Sequence, residues 1–145
     1  MIEYRQMNES DIDICAEIET YAPDPWNKAQ LCEMCEGNIS HSFVAEENSQ
    51  PVAFCSLQAV CGEVSLNTIT VLPHYRRQGI AKGLLKYAFN ALSAEEVYLE
   101  VRETNIGAIA LYENMGFSRV GLRQDFYQCP RENAIVMVLK GLSLT

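Results

Sequence analysis

Apolar residues change their spacing several times along the chain, and each change predicts a new element. Behind Ser10, which is suited to cap a helix, apolar side chains recur at helical spacing until Pro23 interrupts them. Asn27, with Gln30 three residues on, resembles a capping box and predicts a second short helix that ends near Gly37. The early part of the chain therefore contains two short helices.

The rest of the chain alternates between strand-like and helix-like spacing. Apolar runs bounded by turn residues predict strands at residues 2–7, 43–46, 52–60, 64–71, 97–101, 118–123 and 133–139. The longest apolar stripe at helical spacing runs from Ile80 to Leu92, and a last helix opens at Asn105 and ends at Gly116. A strand, helix, strand succession around the long helix implies one parallel strand pair inside a mostly antiparallel sheet, hence an α/β fold.

Size and charge narrow the functional classes. With 145 residues, 48% of them hydrophobic, the chain is predicted to form a single domain over residues 1–145. The formal net charge of -8 argues against direct binding of nucleic acid or anionic lipid and favours cationic partners. The charged first residues and short apolar runs predict neither a secretory signal nor a membrane span. We therefore expect a cytoplasmic protein; the composition indicates no oligomeric state.

The six cysteines follow no regular framework, so reduced thiols are expected. Cys32 and Cys35 form one C-x-x-C motif with His41 nearby, which raises the alternative of a zinc site. A structural zinc needs a second ligand pair, and the sequence has no later C-x-x-C or H-x-x-x-H motif. We therefore predict no metal and interpret the pair as two small apolar side chains on one helix face.

Residues 69–82 carry the most chemical information, because a strand there runs through a proline turn into a basic loop at a helix N-terminus. The unpaired N–H groups of the first helical turn, with Arg76, Arg77 and Lys82, suit a phosphate or pyrophosphate. Gly79 allows close approach of the backbone or a positive φ. The alternative is a polar turn with solvated charges. Neither a Walker loop nor a dinucleotide-binding fingerprint is present.

Several motifs resemble the GNAT superfamily of acetyltransferases. The segment 76–81 (RRQGIA) fits that family's R/Q-x-x-G-x-G/A motif, with Ala81 in place of the second glycine, and it follows a strand as the family requires. The segments 99–102 (LEVR) and 108–117 (AIALYENMGF) resemble bacterial ribosomal-protein-alanine N-acetyltransferases of the RimI type. The similarity extends over nearly the whole chain, from Pro25 and Trp26 to residues 132–137.

The resemblance implies that acetyl-CoA binds across a splayed pair of parallel strands. It implies that the backbone of Ile69, Thr70 and Val71 holds the pantetheine arm and the thioester, with the Val71 amide stabilising the oxyanion. It further implies a pyrophosphate wrapped by Arg77, Gln78, Gly79, Ile80, Ala81 and Lys82. Asn105 matches a further family contact to the cofactor.

The resemblance also assigns an acid and a base. Glu100 matches the family's general base, and strand alternation places it opposite the apolar face formed by Val97, Leu99 and Val101. We expect burial beside the cofactor to raise its pKa. Tyr112 matches the general acid that protonates the departing CoA thiolate. No cysteine occupies the matched positions, so direct transfer in a ternary complex is expected.

Each of these two residues also has a purely structural interpretation. Glu100 could be merely exposed, or paired with Arg102 on the same strand. Tyr112 could be a core aromatic residue whose hydroxyl lies at the edge of the core.

The resemblance places the acceptor between residues 21–26 and 123–131. With the negative charge of the chain, Asp24 and Asp125 would steer a basic protein N-terminus, such as that of a ribosomal protein, towards this cleft. Trp26 and Tyr127 fit either this cleft or simple packing. Two alternatives stay open at this point: an acetyltransferase for a lysine side chain or small amine, and a non-catalytic acyl-CoA-binding module.

Overall fold

A computed structural model describes residues 1–34 and 39–141. The strands are β1 (Ile2–Gln6), β2 (Ser40–Glu47), β3 (Gln50–Val60), β4 (Glu63–Val71), β5 (Glu96–Arg102), β6 (Ser118–Tyr127) and β7 (Glu132–Lys140). The helices are α1 (Ile12–Glu19), α2 (Lys28–Met34), α3 (Ile80–Ala91) and α4 (Ile106–Asn114), and short 3-10 turns cover Glu9–Asp11 and Pro73–Tyr75. The predicted α/β class is confirmed.

Over the described residues, the strands form one seven-stranded sheet in the order β1-β2-β3-β4-β5-β7-β6. Neighbouring strands are antiparallel except β4 and β5, which run parallel and pair only from Glu63–Ser65 to Glu96–Tyr98. Beyond these residues the two strands diverge. The predicted splayed parallel pair is therefore confirmed, whereas the insertion of β7 between β5 and β6 is not visible in the sequence.

Different helices cover the two faces of the sheet. The larger core cluster joins α3 and α4 to β5 through Val97, Leu99 and Val101, which confirms the predicted alternation. The smaller cluster joins α1 and α2 to β3 through Phe54. Because side chains alternate along a strand, Glu100 lies on the face that α1 and α2 cover.

Two of the three predicted helix caps are confirmed. The side chains of Asn27 and Gln30 each accept a hydrogen bond from the other residue's backbone N–H at 2.8 Å, which is the reciprocal capping box. Asn105 caps α4 by accepting from the N–H of Ala108 at 3.2 Å. The predicted end of the second helix near Gly37 lies outside the described residues.

The prediction that Ser10 caps the first helix is wrong. Ser10 lies inside the 3-10 turn that precedes α1, and the turn is opened by Asn8. The backbone N–H of Asn8 donates to the carboxylate of Asp11 at 2.9 Å, so the local capping contacts are satisfied two residues earlier than predicted.

Neither a cluster of metal ligands nor a membrane-spanning helix is found in the described residues. In residues 1–34 and 39–141, no three His, Cys, Asp or Glu side chains lie close enough together to hold a metal ion. Cys35 of the C-x-x-C motif lies outside these ranges. None of the described helices is long and apolar enough to cross a bilayer.

Candidate active site

The divergence of β4 and β5 opens a gap in the middle of the sheet. The register of β4 against β3 shifts by one residue at Asn67, between the pairs formed by Leu66 and Thr68. Such a bulge bends the strand and increases its twist. The carboxyl-terminal half of β4 therefore bonds to β3 on one side and leaves its other edge open towards β5.

The backbone of β4 presents polar groups to this gap. The N–H of Leu72 donates to the carbonyl of Val52 on β3 at 2.9 Å. Bonded and non-bonded pairs alternate in an antiparallel ladder, so Ile69 and Val71 direct their N–H and C=O groups away from β3 and towards the gap. By the same alternation Thr70 turns its backbone to β3. Ile69 thus offers both backbone groups to a ligand in the gap, whereas Val71 offers its N–H, since its carbonyl accepts from Arg76 at 3.2 Å.

The basic loop lies between the end of β4 and α3. Gly79 is the residue before α3 and has φ = 78°, a conformation that glycine adopts without strain. Arg77 also has a positive φ, 63°, and both residues are exposed. The first-turn N–H groups of α3, including those of Ile80 and Ala81, have no partner within the helix and carry the positive end of its dipole. This loop has the features of an anion site.

Three polar side chains of the loop contact protein groups instead of projecting freely. Arg76 donates to the carbonyls of Val71 at 3.2 Å and Tyr21 at 3.3 Å, and so links the end of β4 to the segment after α1. Gln78 donates to the carbonyl of His74 at 3.1 Å. Lys82 donates to Asn114 Oδ1 at 2.8 Å, which turns its ammonium towards α4.

Glu100 lies on the β5 side of the gap, and its side chain is 34% exposed. Its carboxylate pairs with Arg123 of β6 at 3.2 Å. Arg102, the alternative partner considered from the sequence, is engaged elsewhere. Because the Glu100–Arg123 pair is exposed to solvent, it contributes about 1 kcal/mol or less and leaves the carboxylate accessible. The protein alone leaves Glu100 partly exposed, and its burial beside the bound cofactor stays a prediction.

Tyr112 of α4 has the packing that its structural interpretation describes, and its role as general acid stays a prediction. Its ring is buried and packs against Phe117, with the ring centroids 5.6 Å apart. Its hydroxyl has no hydrogen-bond partner in the part of the chain that the structure describes. Burial, followed by repulsion from Tyr127, raises the pKa of Tyr112 well above its ordinary value. The phenol therefore keeps its proton at neutral pH.

Two segments flank the gap on the face that carries Glu100. We call residues 20–27, between α1 and α2, the loop wall, and residues 123–132, at the turn between β6 and β7, the hairpin wall. In the loop wall, Trp26 is 38% exposed. In the hairpin wall, burial and the nearby carboxylates of Asp24 and Glu100 raise the pKa of Tyr127 to about 12.

Asp24 does not present an unpaired charge to an approaching cation. Its two carboxylate oxygens accept from Arg102 at 2.6 and 2.8 Å. The ion pair neutralises Asp24 and corrects the expectation that it steers a basic peptide.

Glu19, at the end of α1, is a buried carboxylate that the sequence analysis missed. It is fully buried and accepts hydrogen bonds from the hydroxyls of Thr70 at 2.8 Å and Thr68 at 3.0 Å, and from the N–H of Trp26 at 3.1 Å. These bonds fasten the loop wall to β4. No signal for this burial was visible in the sequence, because the apolar stripe predicted for the helix, through Ile14 and Ile18, does not include Glu19.

Replacing Glu19 by alanine is expected to lower the free energy of unfolding by about 2–4 kcal/mol, because three donors lose a buried acceptor. Urea denaturation measures the loss. Glu17→Ala is the matched control, since Glu17 is an exposed carboxylate on the same helix and its loss should cost about 0.5 kcal/mol or less. Equal losses in the two variants would contradict a structural role for the Glu19 carboxylate.

The same residue makes stability depend on pH with a defined sign. Burial raises the pKa of Glu19 against the opposing effect of its hydrogen bonds. A carboxyl whose pKa rises on folding adds stability below the ordinary value of about 4.3, and that stability is lost as pH rises through the raised pKa. As pH rises from about 4.3 through the raised pKa of Glu19, the unfolding free energy of Glu19→Gln should therefore decline less than that of the parent protein.

Comparison with known proteins gives a consistent result. Residues 11–117 match the Acetyltransferase (GNAT) family. The ribosomal protein bS18-alanine N-acetyltransferase of Escherichia coli K12 is 36% identical over 79% of this chain and 80% of its own length. The N-alpha-acetyltransferase RimI of Mycobacterium tuberculosis is 31% identical over 90% of this chain and 87% of its own.

Solved structures agree with these relatives. The crystal structure of the ribosomal-protein-S18-alanine N-acetyltransferase from Escherichia coli has a TM-score of 0.88 and 30% identity, covering 99% of this chain and 97% of that one. Arabidopsis thaliana NAA60 in complex with acetyl-CoA has the same fold, with a TM-score of 0.84, 23% identity, and coverage of 96% and 98%. The resemblance seen in the sequence is confirmed, and the chain belongs to the acetyltransferase (GNAT) family.

Proposed function

We propose that this chain transfers the acetyl group of acetyl-CoA to the α-amino group of an N-terminal alanine on a ribosomal protein. The names of the relatives support this acceptor, since two of them, at 36% and 34% identity, are bS18-alanine N-acetyltransferases. The proposal takes residues 1–145 as one acetyltransferase domain that works in the cytoplasm, where ribosomal proteins are made. It involves no metal and no direct contact with nucleic acid or membrane.

One observation carries the proposal. The open edge of β4 faces the gap, with Glu100 of β5 on the other side of the gap and the N-terminus of α3 beyond the end of β4. Acetyl-CoA would lie along this edge, with its amide-containing arm bonded to the backbone of Ile69 and Val71. Its pyrophosphate would lie against the helix N-terminus and residues 77–82, where the N–H groups and the cationic side chains favour a dianion.

Asn105, at the start of α4, would add a further contact to acetyl-CoA. Its side-chain oxygen is used in capping α4, so a contact to acetyl-CoA would come from its amide NH2 group.

The reaction needs a base, an acid and an anion site, and each has a candidate group. Glu100 removes a proton from the acceptor ammonium, directly or through a water, and the neutral nitrogen then attacks the thioester carbon. The Val71 N–H donates to the oxygen as it becomes negative. Collapse of the tetrahedral intermediate breaks the carbon–sulfur bond, and Tyr112 protonates the departing thiolate. The nitrogen still carries one proton more than the amide product, and it gives that proton to the Tyr112 phenolate through solvent, which restores the phenol. The acetyl group passes directly from sulfur to nitrogen, without an acyl-enzyme.

The acceptor would enter between the loop wall and the hairpin wall, on the face of the sheet that carries Glu100. The ammonium of the peptide can replace Arg123 as the cation beside Glu100, since the exposed pair holds Arg123 only weakly. Steering of a basic peptide is left to the overall charge of -8 and to the exposed Asp125.

The proposal is tested by acetyl-CoA consumption with a hexapeptide that begins with alanine and continues with basic residues. The matched controls are the same peptide with a blocked N-terminus and a blocked peptide that contains lysine. Consumption with the free N-terminus alone is the expected result. Acetylation of lysine would move the acceptor to the alternative class of GNAT enzymes, and acetyl-CoA binding without consumption by any amine would favour a non-catalytic module.

A further inference from the structure

Arg102, the last residue of β5, has a guanidinium whose five N–H groups all have partners. The side chain is 9% exposed. Two donors bind the carboxylate of Asp24 at 2.6 and 2.8 Å, and one binds Glu132 at 3.0 Å. The other two bind the backbone carbonyls of Pro130 at 2.9 Å and Gln128 at 3.1 Å.

These partners belong to the two walls defined above. Asp24 is in the loop wall, whereas Gln128, Pro130 and Glu132 are in the hairpin wall. The guanidinium also lies over the ring of Tyr127, with its carbon 4.5 Å from the ring centroid. One buried side chain thus joins two segments that are about a hundred residues apart in the sequence.

The guanidinium of an arginine can join the two walls in a way that the ammonium of a lysine cannot. Its planar fork holds both oxygens of Asp24 and still directs donors to the hairpin wall, whereas lysine offers three donors around one nitrogen. Arg102 carries no proton that it can give up near neutral pH, and its donors point into the protein. It therefore acts on the reaction through the walls and not on the reacting atoms.

We propose that Arg102 is a positioning residue that fixes the spacing of the loop wall and the hairpin wall and so shapes the cleft for the first residue of the acceptor. This inference rests on the proposed function, which places the acceptor between these walls. It predicts that Arg102 governs binding of the peptide, and not of acetyl-CoA, whose backbone contacts lie along β4. A wider or looser cleft should also discriminate less between alanine and larger first residues.

The chain contains a matched control for Arg102. Arg5 on β1 forms the same two-pronged pair with Asp11, at 2.7 and 2.9 Å, and also donates to Glu46 at 2.9 Å. The partners of Arg5 are Gln6, Asp11 and Glu46, which belong to neither wall, and β1 is the edge strand opposite to β6. Arg5→Lys and Arg102→Lys therefore remove similar contacts, one of them outside the acceptor cleft.

The experiment measures steady-state kinetics and thermal stability of both variants with the alanine hexapeptide. Arg102→Lys should raise the KM for the peptide about tenfold or more and reduce the preference for alanine over methionine, with the KM for acetyl-CoA unchanged within about twofold. Arg5→Lys should lower Tm comparably and leave both KM values unchanged. An unaltered peptide KM in Arg102→Lys, or the same rise in Arg5→Lys, would overturn the inference.

A second variant protects the test against misfolding of Arg102→Lys. Asp24→Ala removes both acceptor oxygens and releases the loop wall, while Arg102 keeps its bonds to the hairpin wall. It should also raise the peptide KM. A normal peptide KM in this variant counts against a positioning role for Arg102. Failure of the parent protein to acetylate any peptide N-terminus overturns the proposed function itself, and the role of Arg102 in acceptor binding falls with it.

Discussion

Replacing Glu100 by glutamine is expected to lower kcat by about 10²- to 10³-fold, the usual contribution of a general base. Glutamine keeps the shape of the side chain but cannot accept a proton from the acceptor ammonium. Because the proposed acetyl-CoA contacts lie on β4 and at the N-terminus of α3, the dissociation constant for acetyl-CoA should change by about twofold or less. Stopped-flow or steady-state rates, with calorimetric titration of acetyl-CoA, measure the two effects separately.

The effect on the folded state should be small and can be controlled. Glu100→Gln removes an exposed ion pair with Arg123, and Glu113→Gln removes a comparably exposed pair with Arg119 on the surface beside α4. Both losses should change the unfolding free energy by about 1 kcal/mol or less. A kcat for Glu100→Gln within about threefold of the control variant would show that another group accepts the proton.

Local sequence patterns predicted the elements of this fold well. Strand β5 and helix α3 each bury one side in the same core cluster. Their apolar residues therefore recur at a regular spacing that is visible within a short stretch of sequence. The side chains of Asn27 and Asn105 bond to backbone groups three residues on, and these caps were predicted for the same reason.

The parts of the site that were missed or misread depend on contacts over long sequence distances. The carboxylate of Glu19 meets Thr70 across 51 residues, and the guanidinium of Arg102 meets Asp24 across 78. Contacts between such distant residues leave no pattern in the local spacing of the sequence. The sequence therefore showed that Glu19 and Arg102 are charged, but not which groups they contact. The pairing of Glu100 with Arg123 was missed because β7 lies between β5 and β6.

The loop at the start of α3 was predicted in part: its local pattern was visible in the sequence, but its contacts with distant segments were not. A glycine before a helix and neighbouring cations give a local pattern, and the positive φ of Gly79 agrees with it. The contacts of Lys82 with Asn114 and of Arg76 with Tyr21 again join distant segments, and the pattern did not indicate them. Local sequence thus predicts where an anion binds and leaves the orientation of the cations to the tertiary structure.

Replacing Tyr112 by phenylalanine is expected to lower kcat by about 10²-fold while leaving acetyl-CoA affinity nearly unchanged. The hydroxyl has no partner within the described residues, so its removal leaves no buried group unpaired and should change the unfolding free energy by about 1 kcal/mol or less. The ring, which packs against Phe117, is kept. Single-turnover rates of peptide acetylation measure the loss.

The pH profile tests whether Tyr112 keeps its proton, and the turnover of Tyr112→Phe tests whether it acts as the acid. An ordinary tyrosine ionises at about pH 10. Burial raises the pKa of Tyr112, so its phenol still holds its proton at that pH. The activity of the parent protein should therefore show no loss attributable to Tyr112 below about pH 10, and the defect of Tyr112→Phe should be constant with pH over that range. Tyr87→Phe, on the partly exposed side of α3, is the control and should retain full activity. Normal turnover in Tyr112→Phe would mean that the thiolate departs without Tyr112 as its acid, and the residue would then serve only the core.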